Sequence, residues 1–262
     1  MNTPAFGTDP RDVAVTLDHD SGPDTCLALA SCTSVGRVRD INEDRVLVLR
    51  GADPEHECLI AIADGMGGHE HGEVASGVAA DVLGKAYLAR ELRDAPSISA
   101  VFDRIDAAIH AEAGGGGTTL VMAMICPGHL TVASVGDSRA YCLRDAKLSR
   151  LTTDDSWVES MVRAGRLLPE EARTHPRRNV LLRALGPGNS EGAQVATPGL
   201  NVGDVVMVCS DGLHGTVDDQ HIERILACEV DAEKACARLV KAALKGGGPD
   251  NISVAICTVR SS

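Results

Sequence analysis

The chain has 262 residues, of which 44% are hydrophobic and 24% charged, a balance typical of a globular protein that excludes disordered and fibrous classes. Its 37 acidic residues against 25 basic ones give a formal net charge of -12 at pH 7. Such an acidic chain repels a phosphate backbone, and only 2% of its residues are aromatic and able to stack on bases. We therefore expect no nucleic-acid partner.

The nine cysteines are scattered and include no Cys-x-x-Cys pair. This spacing favours small buried thiols in a reducing compartment over a disulfide framework or a zinc site. The first residues lack the charged start and apolar stretch of a signal peptide, and the longest apolar run, about eight residues, is too short to span a membrane. We expect a cytoplasmic, monomeric protein without membrane contact.

Residues 1–23 are rich in Asp, Pro, Gly and Thr, which predicts a flexible segment before a single domain over 24–262. Apolar periodicity then predicts strands over 27–34, 44–50 and 58–63, helices over 73–94 and 98–113, an antiparallel meander over 118–126, 129–135 and 139–144, strands over 193–197 and 204–209, helices over 217–227 and 232–245, and a last strand over 252–259. The charged stretch 154–178 predicts an inserted flap with two short helical pieces.

This order of elements predicts an α+β fold. Two groups of strands are each followed by a pair of helices, so two mostly antiparallel sheets are expected to pack together with the helices outside, as a four-layer α-β-β-α sandwich.

Acidic residues recur where these predicted strands begin or end. They are Glu43 and Asp44, Asp64, Asp137, Asp211, and Asp250. If two sheets pack face to face, the strand ends meet at one rim, where several carboxylates repel one another unless cations neutralise them. Clusters of carboxylate oxygens select hard ions such as Mg²⁺ or Mn²⁺. A single Asp-Gly pair is equally well explained as a turn, but the coincidence of so many acids at strand ends favours a cation site.

Two other residues fit such a site. Gly65 follows Asp64, and a glycine leaves its backbone carbonyl open to a cation. Arg39 lies on the segment that leads into Glu43 and Asp44, and a guanidinium there is able to hold a phosphate through two parallel hydrogen bonds. A solvated surface arginine is the competing interpretation.

Eight short strings carry a resemblance to a known family. They are GRVRDINED (36–44), ADGMGGH (63–69), GTTL (117–120), SVGDSRAY (134–141), LTTDDSWV (151–158), HPRRNVLLRALG (175–186), CSDGL (209–213) and GPDNISV (248–254). In this order, over about residues 30–258, the sequence resembles the metal-dependent protein phosphatases of the 2C type (PPM family) in their short bacterial form. The resemblance implies a Ser/Thr phosphoprotein phosphatase that uses two, or three, Mn²⁺ or Mg²⁺ ions and acts on phosphorylated proteins opposite a bacterial Ser/Thr kinase.

The resemblance also implies residue roles. Asp64 would bridge two ions, with the Gly65 carbonyl on one of them. Asp211 and Asp250 would complete the shell of the first ion, and Arg39 would bind the substrate phosphate. A water or hydroxide between the ions would attack phosphorus. The remaining implied ligands are Glu43 and Asp44 near the second ion and Asp137 at a third, weaker one.

The chain departs from the family at two positions. Met66 stands where some eukaryotic relatives have a histidine proposed as general acid, and His69 is the nearest alternative. Asp155 stands where the family usually has a histidine at the start of the flap. Two other functions stay open: a pseudophosphatase that only binds partners, and a phosphohydrolase of small phosphate esters.

Supporting residues are expected to have structural roles. We expect Ser138 and Arg139 to shape the turn or to bond across strands. We also expect packing of the flap on Trp157, and a flap base held by His175, Arg178 and Arg183.

Overall fold

The computed structural model describes residues 26–67, 70–188 and 192–261. The flexible segment predicted over 1–23 lies outside the described residues. Within the described ranges the chain forms eleven strands and seven helices. They are β1 (Leu27–Ser34), β2 (Asp44–Arg50), β3 (Cys58–Met66), α1 (Glu70–Leu88), α2 (Ala95–Glu112), β4 (Gly117–Thr118), β5 (Leu120–Cys126), β6 (His129–Val135), β7 (Arg139–Arg144), β8 (Lys147–Arg150), α3 (Trp157–Arg163), α4 (Pro169–Thr174), β9 (Gln194–Ala196), β10 (Val205–Cys209), α5 (Asp211–His214), α6 (Asp219–Cys228), α7 (Ala232–Lys245) and β11 (Ile252–Val259). Among these helices, none combines the length and the apolar character that a membrane span requires.

The strands form two antiparallel sheets that pack face to face. One sheet has the order β1-β11-β10-β7-β8 and the other β2-β3-β5-β6-β9, with β4 paired to the end of β3. Leu83 of α1 and Phe102 of α2 pack on the second sheet. Ile222 of α6 and Leu239 of α7 pack on the first. A third apolar cluster, which includes Ile60, lies between the sheets. The predicted α+β fold, a four-layer α-β-β-α sandwich, is confirmed.

Strand β3 illustrates why the central strands have continuous apolar sequences. Its alternate residues Leu59, Ala61 and Ala63 face the helices, whereas Cys58, Ile60 and Ile62 face the other sheet. A strand that is buried on both faces has no polar face and so shows no alternation of polar and apolar residues. Asp64 comes next in the alternation after Ile62, so it lies on the inner face where the apolar layer ends.

The predicted meander is wrong for its third strand. β5 and β6 are antiparallel neighbours, but β7 pairs with β10 and β8 in the other sheet. The chain crosses between the sheets just after Gly136, whose φ of 100° favours glycine. The apolar run over 139–144 suits either sheet, so local sequence does not select the partner. The crossing places Asp137 between the two sheets.

The first helix ends earlier than the predicted residue 94. It stops at Leu88 because two backbone bonds close a Schellman cap. The Arg90 N–H donates to the Tyr87 carbonyl and the Glu91 N–H to the Ala86 carbonyl, each over 2.9 Å. Arg90 has a φ of 57°, so the glycine that usually marks such an end is missing from the sequence. Strand β8 and helix α5 were not predicted either.

Candidate metal centre

The strand ends that carry the acidic residues meet at one edge of the sandwich. Asp44 and Asp64 are direct partners in the β2–β3 register. Asp211 follows β10 and Asp250 precedes β11, and these two strands are neighbours. Asp137 precedes β7, which pairs with β10 on its other side. The structure therefore brings together acids that lie far apart in the sequence, as the strand-end pattern predicted.

These residues surround an open cavity of about 260 Å³. Its lining includes all of the predicted site residues except Asp44, which is buried behind it. The flap base adds Asn179 and Leu181, and β3 adds Met66. Neither Asn179 nor Leu181 was predicted, because their positions beside the cavity depend on how the flap folds back. His69, the alternative general acid, lies outside the described residues.

Asn251 joins the loop before β2 to the start of β11. Its side-chain oxygen accepts the Glu43 N–H at 2.9 Å, and its Nδ2 donates to the Val35 carbonyl at 3.0 Å and to the Ile41 carbonyl at 2.9 Å. These bonds fix the loop that carries Arg39. The Asp-Asn pair at 250–251 belongs to one of the strings that resemble the family, but the sequence contains no signal that assigns the asparagine this role.

Arg39 points toward the acidic cluster. Its Nη2 donates to Asp250 Oδ2 at 2.8 Å, and its side chain remains 49% exposed. One carboxylate uses only part of the five N–H donors of a guanidinium, so donors remain for a ligand in the cavity. The arrangement provides a positive group at the mouth of a negative site.

Gly65 has a packing role that adds to the predicted one. Its N–H donates to the Glu43 carbonyl at 3.2 Å. A Cβ at this position would overlap the Gly72 carbonyl of α1. Glycine therefore allows α1 to approach the end of β3 closely. The preceding carbonyl, that of Asp64, accepts the Thr118 hydroxyl at 2.9 Å, which holds the strand end in place.

The buried carboxyls are costly to ionise together. Burial, together with the charges of Asp211 and Asp250, raises the pKa of Asp44 to about 7. Burial raises the pKa of Asp137 to about 8 and that of Asp211 to about 6. Burial first, and then the charge of Asp44, hold the pKa of Asp64 well above its ordinary value. A cation among these groups would favour their ionised forms.

The donor set fits a hard divalent ion that keeps water ligands. Asp44 Oδ2 accepts the Ser210 hydroxyl at 2.9 Å, whereas its buried Oδ1 has no hydrogen-bond partner among the described residues. Within those residues, no three His, Cys, Asp or Glu side chains are gathered closely enough to hold an ion by themselves. The site is therefore an open carboxylate shell. Mg²⁺ typically binds through few carboxylates and several waters, and Mn²⁺ prefers the same oxygen donors.

The flap is anchored beside this cavity. Its two ends meet where the Trp157 N–H donates to the Val180 carbonyl at 2.8 Å. The Trp157 ring stacks on His175 with centroids 4.9 Å apart, and the Arg177 guanidinium lies 5.1 Å from the Trp157 centroid. The predicted anchoring role of Trp157 agrees with these contacts. A groove of about 370 Å³ runs under the flap and shares Asp137, Asn179 and Asp211 with the cavity.

The two residues after Asp137 bond to residues outside the strands, Thr119 between β4 and β5 and Asp154 beyond β8, and so shape the turn that leads into β7. Ser138 Oγ lies 2.8 Å from Thr119 Oγ1, and Arg139 forms a buried ion pair with Asp154, with 2.6 Å between Nη2 and Oδ2. Asp155, the second departure from the family pattern, accepts the Gly136 N–H at 3.1 Å. It therefore supports the crossing between the sheets.

The chain belongs to the protein phosphatase 2C family, whose model matches residues 33–245. It is 38% identical over 246 residues to the serine/threonine protein phosphatase PstP of Mycobacterium tuberculosis, a match that covers 89% of this chain and 45% of PstP. This chain therefore spans about half the length of that relative. It is 35% identical over 235 residues to the serine/threonine phosphatase stp of Listeria monocytogenes, covering 85% of this chain and 92% of that one. A solved PstP catalytic domain, in complex with two manganese ions, has a TM-score of 0.78 and 33% identity, over 90% of this chain and 99% of that one.

Proposed function

We propose that this chain is a metal-dependent Ser/Thr phosphoprotein phosphatase that hydrolyses phosphate monoesters with two, or three, Mn²⁺ or Mg²⁺ ions. The observation that carries the proposal is the convergence of the strand-end carboxylates and Arg39 on one open cavity. Family membership supports it, as do the names of the relatives and the two manganese ions in the PstP catalytic domain.

The proposed ligand roles are those that the family resemblance implies, and all of these residues except Asp44 line the cavity. Asp64 lies at the centre of the acidic cluster and is the residue proposed to contact both ions, with the Gly65 carbonyl beside it. Asp211 and Asp250 would hold one ion from the five-stranded sheet. When bound, the ions supply Lewis-acid activation of a water and neutralise charge on the phosphate. Three further acids are proposed to hold the rest of the metal shell: Glu43 and Asp44 near the second ion, and Asp137 at a third.

Arg39 is proposed to bind the substrate phosphate. Its pairing with Asp250 holds the guanidinium at the mouth of the cavity, and its remaining donors match the oxygens of a phosphate group. As negative charge shifts between phosphate oxygens during hydrolysis, a fixed guanidinium stabilises it without reorganising.

The groove under the flap favours a polypeptide substrate over a small ester. The groove is continuous with the cavity and has a volume of about 370 Å³. Arg173 and Arg178 line its flap side. These arginines are suited to acidic groups near the phosphorylated residue. We therefore propose phosphorylated proteins, the products of a Ser/Thr kinase, as substrates. We also propose that residues 24–262 form one domain that acts as a monomer.

The test is phosphate release from a phosphothreonine peptide, measured with Mn²⁺ and with excess EDTA. Asp64→Asn and Asp211→Asn preserve side-chain shape but remove a charge from the site. Asp103→Asn, the same change at an exposed position of α2, is the matched control. We expect turnover only with Mn²⁺, a loss of at least about a hundredfold in each site variant, and ordinary turnover in the control.

Two results would contradict the proposal. Bound Mn²⁺ in calorimetry without turnover on any phosphoester would indicate a pseudophosphatase. Turnover of para-nitrophenyl phosphate without any turnover of phosphopeptides or phosphoproteins would indicate a small-ester phosphohydrolase.

A further inference from the structure

A cysteine, a histidine and an aspartate form a hydrogen-bonded chain away from the metal centre. Cys26 Sγ lies 3.2 Å from His56 Nε2, and His56 Nδ1 lies 3.0 Å from Asp53 Oδ2 and 3.1 Å from Oδ1. Cys26 directly precedes β1, and the other two residues lie in the loop between β2 and β3. A thiol, an imidazole and a carboxylate in this order match the arrangement that activates a nucleophilic cysteine.

Main-chain bonds hold the three residues in this geometry. The N–H groups of His56 and Glu57 both donate to the Asp53 carbonyl, at 3.1 and 2.7 Å, so a tight turn fixes the imidazole beside the carboxylate. The Cys26 carbonyl accepts the Arg260 N–H at 2.7 Å. The thiol and the imidazole are thus positioned by separate segments that are each tied into the fold.

The hydrogen-bond pattern defines where the imidazole proton lies. An ionised carboxylate only accepts hydrogen bonds, so His56 Nδ1 must carry the hydrogen that it donates to Asp53. In the neutral ring, Nε2 then presents its lone pair to the Cys26 thiol. His56 is therefore oriented to accept the thiol proton, and Asp53 stabilises the imidazolium that results.

This cluster lies at the opposite edge of the sandwich from the metal centre. β2 runs from Asp44 in the metal centre to Arg50, next to the loop, which is a span of about 20 Å at the usual rise of a strand. The Cys26 residue is 7% exposed, but the side chains of His56 and Asp53 are 38% and 51% exposed.

We propose that Cys26 is a thiol-modification site that reacts with low-molecular-weight disulfides such as glutathione disulfide. His56 Nε2 takes the thiol proton, and the Cys26 thiolate attacks one sulfur of the disulfide. The Cys26–S bond forms as the S–S bond of the reagent breaks, and the leaving thiolate takes the proton from His56. One thiol and one disulfide give one mixed disulfide and one thiol, so no other oxidant is needed. The proposal is independent of the phosphatase activity.

The test compares Cys26 in the wild-type chain and in His56→Gln, which keeps a polar side chain but cannot accept the proton. The folded protein is treated with glutathione disulfide near neutral pH, and mass spectrometry follows the adducts at Cys26 and at Cys228. Cys228 is an exposed cysteine at the end of α6 and serves as internal reference. Without a base to take its proton, a cysteine is only a few per cent thiolate near neutral pH, so losing His56 should slow the reaction. A stabilised thiolate is also a weaker nucleophile, which makes the loss smaller than the thiolate fraction alone suggests. We therefore expect the Cys26 rate to fall about tenfold in His56→Gln.

The Cys228 rate is expected to be the same in both proteins. A smaller fall at Cys26 is expected for Asp53→Asn, which keeps the histidine. Loosening of the fold would raise the Cys26 rate and so cannot imitate this result. The proposal is overturned if Cys26 forms no adduct while Cys228 does, or if the Cys26 rate in His56→Gln equals or exceeds that of the wild type.

Discussion

Replacing Asn251 by alanine tests whether one buried amide holds the substrate-binding loop at the metal centre. The Asn251 residue is 5% exposed and makes three hydrogen bonds to the backbone of residues 35–43. The bond to the Glu43 N–H is buried, so this donor finds no water in the variant, whereas the bond to the Ile41 carbonyl is only partly buried. With about 1 kcal/mol for each of the three bonds and about 1 kcal/mol more for the unpaired N–H, we expect a loss of about 4 kcal/mol.

The loss leaves a folded protein, because domains of this kind are stable by about 5–15 kcal/mol. The free energy of unfolding is measured in urea, and activity is measured against phosphopeptide and Mn²⁺ concentration. We expect the Mn²⁺ concentration for half-maximal activity to rise about tenfold, because partners that orient a metal site affect metal affinity by that order.

Leu239→Ala is the matched control for stability. Leu239 is fully buried between α7 and the five-stranded sheet, and its truncation costs about 2–5 kcal/mol. We expect this control to lose stability without any change in the Mn²⁺ requirement. The reasoning fails if Asn251→Ala costs less than about 1 kcal/mol. It also fails if both variants have the same Mn²⁺ requirement.

Three further predictions concern charge and packing. Because the pKa of Asp137 is raised to about 8, the folded metal-free protein binds more protons than the unfolded chain. Its melting temperature in EDTA should therefore decrease as the pH rises from about 6 to about 8, whereas with Mn²⁺ it should not. A flat profile in EDTA would contradict this. Gly65→Ala should cost about 1–3 kcal/mol in urea unfolding through overlap with α1, whereas Gly77→Ala, with open space around it, should stabilise by about 0.5–1 kcal/mol. Arg139→Met should cost about 3 kcal/mol, because the buried Asp154 charge keeps only its longer pair with Arg150, at 3.6 Å. Adding Asp154→Asn should recover part of that loss, and no recovery would refute the ion-pair explanation.

Local patterns in the sequence predicted most elements because burial leaves a periodic trace. The apolar runs predict the correct starts of the strands before the first helix, and they place Asp44 and Asp64 at strand ends. The ends of helices were less predictable. α1 closes with Arg90 in the left-handed region instead of glycine, so the backbone bonds that end it have no distinctive residue.

The sequence by itself determined the layered α+β class and the carboxylates and arginine of the candidate site. Strand ends are the points where the apolar runs stop, and charged groups at such ends are visible without a structure. Only the tertiary structure decided which sheet β7 joins, that Asn251 fixes the Arg39 loop, and that Cys26 meets His56. These contacts join residues that are far apart in sequence, and their formation depends on packing of the whole sandwich, which local propensity does not encode.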